Sequence, residues 1–88
     1  MNDDTTSEAT VVDARGLRCP LPVIRLAEAA RDAASGTRLT VLSTDPAAEH
    51  DVPAWARMRG HAVVGTGYDE AAGTWSLTVE VRGQVPAA

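Results

Sequence analysis

Twice in this chain a short β-forming segment runs into a proline that suits only the start of a helix. Thr10-Val11-Val12-Asp13-Ala14 leads, after a break at Gly16, into Arg18-Cys19-Pro20-Leu21-Pro22. Arg38-Leu39-Thr40-Val41-Leu42-Ser43 leads into Thr44-Asp45-Pro46. Proline has no N–H and a fixed φ, so a first helical turn, whose N–H groups lack intrahelical partners anyway, accepts it at no cost. Each proline therefore marks a strand giving way to a helix, and two such units in succession predict a parallel strand pair joined through a right-handed crossover.

After Pro20 the apolar residues Val23, Leu26, Ala27, Ala30 and Ala34 recur at helical spacing. Arg25, Glu28, Arg31 and Asp32 fall on the other side. The pattern predicts a helix from Pro20 to Ser35, ended by Gly36. The second helix is harder to place. Asp45 can cap it and Pro46 can start it, but Pro53 would remove a hydrogen bond and crowd the preceding turn inside a continuous helix. The expectation is a loose turn over residues 46–50, then a helix from Val52 to Arg59 capped by Asp51 and closed by Gly60.

His61 to Tyr68 and Thr74 to Arg82 read as two strands joined by the loop Asp69-Glu70-Ala71-Ala72-Gly73. In the last strand Trp75, Leu77, Val79 and Val81 alternate with Thr74, Ser76, Thr78, Glu80 and Arg82, which means one buried and one wet face. The order is βαβαββ. The fold class expected is α+β, a two-layer α/β sandwich with a four-stranded mixed sheet and both helices on one face. Residues 1–9 read as a disordered acidic tail, 10–82 as the domain, and 83–88 as a flexible end.

Composition narrows the chemistry. With 88 residues, the chain is one domain with room for a single sheet and its helices. The net charge is −4, and without the first nine residues nine acids face eight arginines. Such a nearly neutral body lacks the basic footprint that phosphate backbones demand, so direct nucleic-acid binding is not expected. There is no lysine, which excludes a lysine Schiff base or nucleophile. A single cysteine excludes an internal disulfide and a dithiol oxidoreductase. No stretch is apolar enough to span a membrane, and the expected compartment is the cytoplasm.

Cys19 sits where a strand becomes a helix. The helix dipole, the N–H groups of Leu21 and Val23, and the charge of Arg18 all favour negative sulfur there, while Pro20 and Pro22 stiffen the turn. A lone cysteine is commonly a small buried hydrophobe, but this position predicts an exposed, reactive thiolate. Cys19, His50 and His61 follow no metal-ligand spacing, so neither a metal nor another cofactor is expected. His61 reads as a packing or hydrogen-bonding residue. Asp45 and Asp51 read as caps, and Trp55 and Trp75 as core.

Asp13-x-x-Gly16-Leu17-x-Cys19-Pro20-x-Pro22, then Asp45-Pro46 with Asp51, Pro53 and Trp55, then Gly60-His61 together resemble the TusA/SirA-like family of small sulfur-carrier proteins over residues 11–82. The resemblance implies a sulfurtransferase of the persulfide-carrier type. Cys19 would accept sulfane sulfur from a cysteine desulfurase or a rhodanese-like donor and relay it to a downstream acceptor protein. It also implies that Pro20 and Pro22 shape the turn of the sulfur, and that Asp45, Pro46 and Arg25 belong to the partner surface. Leu21 and Ser43-Thr44 depart from the acidic residues common in the tRNA-thiolation branch. Delivery toward tRNA 2-thiouridine is the first expectation; sulfur oxidation, molybdenum-cofactor and selenium metabolism are the others. The rival is a regulatory or adaptor module that binds a protein partner and for which Cys19 is incidental.

Overall fold

The structure, a computed structural model, describes residues 9–82; apart from Ala9, the tails expected over 1–9 and 83–88 lie outside the described residues. In chain order it contains β1 (Thr10–Ala14), α1 (Leu21–Arg31), β2 (Arg38–Ser43), α2 (Ala48–Arg59), β3 (Ala62–Asp69) and β4 (Thr74–Glu80). The sheet runs β1-β2-β4-β3. β1 and β2 are parallel, with Ala14 beside Ser43, whereas β4 lies antiparallel to both β2 and β3. Both helices pack on the sheet and against each other, so the βαβαββ order closes as a two-layer sandwich with the helices on one face.

The strands alternate as a half-covered sheet should. Leu39 and Val41 of β2 and Leu77 and Val79 of β4 are buried, and they meet Leu26 and Ala30 of α1 and Ala48, Val52, Trp55 and Ala56 of α2 in one core. Val81, just past β4, completes it. Burying each large aliphatic side chain here is worth roughly 1.5–3 kcal/mol. The opposite face carries small polar residues, with Thr40 Oγ1 and Thr78 Oγ1 2.7 Å apart across β2 and β4. Trp75 is half-buried and its ring lies 4.4 Å from that of Tyr68.

Two helix boundaries differ from expectation. α1 stops at Arg31, with Asp32 as its last cap, and Ala34 is exposed rather than part of a core stripe. A tight turn from Ala33 N–H to the Ala30 carbonyl closes the helix. The following residues then join β4: the Gly36 N–H donates to Val81 at 2.7 Å and the Val81 N–H to Thr37 at 2.8 Å. Gly36 serves this turn at φ +93°, a conformation that costs glycine little. Backbone pairing with the sheet outweighs four more residues of helix.

α2, conversely, is continuous from Ala48 and contains Pro53. Its entry is wound by i→i+3 bonds, from Ala48 N–H to Asp45 and from Glu49 N–H to Pro46. The carbonyl that Pro53 deprives of a partner is one turn back, on exposed Glu49, where water can serve it. A helix begun only at Val52 would forfeit the place of Ala48 in the core. Gly60, at φ +79°, ends α2 as expected, and the His61 N–H reaches back to Ala56 at 2.8 Å in the manner of a Schellman closure. His61 is then fixed by its ring, 5.1 Å from that of Trp55, and by Nδ1, which accepts the Arg82 N–H at 3.0 Å.

Candidate functional site

Parallel neighbours send their carboxyl ends to the same edge of a sheet, and the loops that leave those ends are where open α/β sheets build sites. Here β1 and β2 deliver the segments 15–20 and 44–47 side by side. The two are stitched together by side chains of the second. Thr44 Oγ1 accepts the Gly16 N–H at 2.8 Å, and Asp45 Oδ2 accepts the Cys19 N–H at 2.7 Å. Asp45 uses its other oxygen, Oδ1, to accept the Ala47 N–H at 3.0 Å, and its own N–H donates to buried Ser43 Oγ at 3.1 Å. One carboxylate thus winds the entry to α2 and pins the cysteine backbone.

Cys19 is a free thiol and exposed. It precedes a cis peptide bond to Pro20, which is the N-cap of α1, while Pro22 is fully buried beneath it. The thiol donates to Asp51 Oδ2 at 2.8 Å. Asp51 stands in the first turn of α2, so the proline-tolerant start of that helix is what brings a carboxylate to the sulfur.

This overturns the expectation of a favoured thiolate. The Cys19 thiol is pushed up from its ordinary value, chiefly by the hydrogen bond to Asp51, then by desolvation and by the negative charges of Asp51 and Asp45. A carboxylate can accept a hydrogen bond from the thiol but only repels the thiolate. The Leu21 N–H, assigned to the sulfur, donates instead to the Arg18 carbonyl at 2.8 Å, and the N–H of Cys19 itself goes to Asp45. The Arg18 charge reaches Asp45, whose carboxyl lies below the usual range because of the Ala47 and Cys19 N–H groups and then Arg18. Val23 is half-buried against the core. Asp51, read from sequence as a cap, is no cap at all.

Nearby, Asp13 holds Arg15 through Oδ1 and Oδ2 at 2.8 and 2.7 Å, which lowers its carboxyl to about 2. Around the sulfur the surface is accessible: Arg18, Arg25 and Pro46 are exposed, and so are Leu21 and Ile24 of α1. A shallow cleft of about 350 Å³ lies between Arg18 and Pro46, lined also by Gly16, Leu17, Thr44 and Asp45. A larger one, near 690 Å³, lies at the other ends of the helices beside Arg31, Trp55 and Arg59. Among the described residues no three His, Cys, Asp or Glu side chains converge as metal ligands, and no helix is long and apolar enough to cross a membrane.

An exposed thiol on a hydrogen-bonded corner, with exposed apolar and charged residues in the same segments, is suited to meeting another protein's reactive group. That is the build of a carrier domain. The chain belongs to the TusA family: residues 10–81 match the family model described as Sulfurtransferase TusA. It is 41% identical over 71 residues to the sulfur carrier protein TusA of Pseudomonas aeruginosa strain PAO1, covering 81% of this chain and 87% of that one. To the sulfur carrier protein TusA of Pseudomonas entomophila it is 40% identical over 72 residues, covering 82% and 86%. The crystal structure of a SirA-like protein from Desulfitobacterium hafniense superposes with a TM-score of 0.72 at 25% identity, over 84% of this chain and 99% of that one. A role in sulfur transfer follows from the family.

Proposed function

We propose that Cys19 is the atom on which this protein carries sulfur, as a persulfide taken from a cysteine desulfurase or rhodanese-like donor and passed to an acceptor protein. The observation behind this reading is the exposure of the chain's only thiol at the junction shaped by Pro20 and Pro22. Sulfur transfer is then nucleophilic displacement between protein cysteines, governed by access and leaving-group acidity. Val23 and Pro22 root the turn in the core, and Arg18, with the backbone of Leu21, flanks the sulfur. Arg25, Asp45 and Pro46, joined by exposed Leu21 and Ile24, form the surface that partners meet. The first pathway we assign is sulfur delivery toward tRNA 2-thiouridine, in the cytoplasm and without direct contact to nucleic acid.

Replacing Cys19 by Ser in cells tests the reading against an adaptor role. A carrier loses its thiolation phenotype with the fold intact. An adaptor, binding through the same helix surface, keeps its function.

A further inference from the structure

The hydrogen bond between Cys19 and Asp51 exists only while the sulfur bears a proton. In a persulfide the Cys19 Sγ is bonded to carbon and to the second sulfur and has no hydrogen to donate. Asp51 Oδ2, 2.8 Å from Sγ of the free thiol, then faces sulfur lone pairs and the anionic charge of the terminal sulfur. Among the described residues the Asp51 carboxylate has no other hydrogen-bond donor and no salt-bridge partner. No described N–H group or cationic side chain replaces the thiol proton when it is gone. Asp45 differs, because its oxygens stay on the Cys19 and Ala47 N–H groups, which persulfide formation does not consume.

We infer that Asp51 drives sulfur off the carrier: it stabilises the empty thiol by a bond the loaded form cannot make, and so sets the direction of transfer. The inference rests on Cys19 being the sulfur-bearing residue. In loading, the Cys19 sulfur attacks the terminal sulfur of a donor persulfide. The new S–S bond forms as the donor's own S–S bond breaks, and the electron pair goes to the donor cysteine, which takes the proton that Cys19 gives up. Donor sulfur is reduced as Cys19 sulfur is oxidised, with no outside oxidant. In unloading the pair and a proton return to Cys19 Sγ, and Asp51 Oδ2 receives the S–H. Hydrogen bonds to a charged acceptor are the strong ones, so the preference they impose is a large one for a reversible exchange. The upward shift of the thiol pKa has the same cause.

The test is the exchange equilibrium of the full chain with cysteine persulfide and free cysteine at a fixed ratio, read as the loaded fraction by intact mass. Asp51→Asn and Asp51→Ala should move the exchange constant toward the loaded form by about tenfold. Iodoacetamide should alkylate the empty variants several-fold faster than wild type at neutral pH. Circular dichroism confirms the fold of each variant, and either one suffices. An exchange constant that stays put or moves toward the empty form overturns the inference. Wild-type protein that takes up no sulfur at all overturns the carrier reading as well, on a separate readout.

Discussion

Asp45 accepts the backbone N–H of Cys19 at 2.7 Å, so the residue that opens the second helix also fixes the corner on which the sulfur stands. Replacing Asp45 by Ala frees two N–H groups at once, those of Cys19 and Ala47. The variant should show faster amide exchange at Cys19 and a lower urea midpoint. The Asp45 carboxyl is depressed in the folded protein, so its contribution is present above the ordinary carboxylate range and disappears as pH falls through the folded value. Wild type and Asp45→Ala should therefore converge in stability in acid.

The thiol carries the opposite sign. Its folded pKa is raised, so the Cys19 bond to Asp51 contributes stability below the ordinary thiol value of 9.0 and is lost as pH climbs through the folded one. The groups whose charges act on it are Asp51 and Asp45, with Arg18 acting on Asp45. The alkylation rate of Cys19 against pH should turn upward later than that of a free cysteine peptide under the same conditions.

Exposed Leu21 and Ile24 predict a split between protein and small-molecule donors. Ile24→Asp should slow loading from a desulfurase by about tenfold, the scale of one buried apolar contact at an interface. Loading from cysteine persulfide should stay within twofold, roughly, because the one tie of Ile24 to the sulfur corner is its backbone N–H on the Pro20 carbonyl at 3.0 Å, which the substitution keeps.

Leu26 is fully buried where α1 meets the sheet. Leu26→Ala should destabilise the domain by roughly 2–5 kcal/mol. For a chain this small that is a large share of the total, so thermal unfolding should begin tens of degrees lower or the variant should fail to fold.

The elements that sequence made legible are those specified locally. Alternation placed β4, the proline after β1 placed the start of α1, and Gly60 placed the end of α2, whereas α2 starts at Ala48 and not at the expected Val52. What it concealed came from tertiary contact. The stop of α1 depends on Gly36 and Thr37 pairing with Val81, and Pro53 is tolerated because the first turns of α2 place Ala48 in the core. The electrostatics of Cys19 have the same tertiary origin. Its sequence neighbours argue for a thiolate, while the carboxylate that decides the matter lies 32 positions away. No spacing rule connects them; only the parallel pairing of β1 and β2 does.

The most direct test is the intact mass of the protein after incubation with a cysteine desulfurase and cysteine. The expected result is a gain of one sulfur atom that dithiothreitol removes and that Cys19→Ser lacks. A wild-type mass that does not change, or a gain that survives in Cys19→Ser, would contradict it.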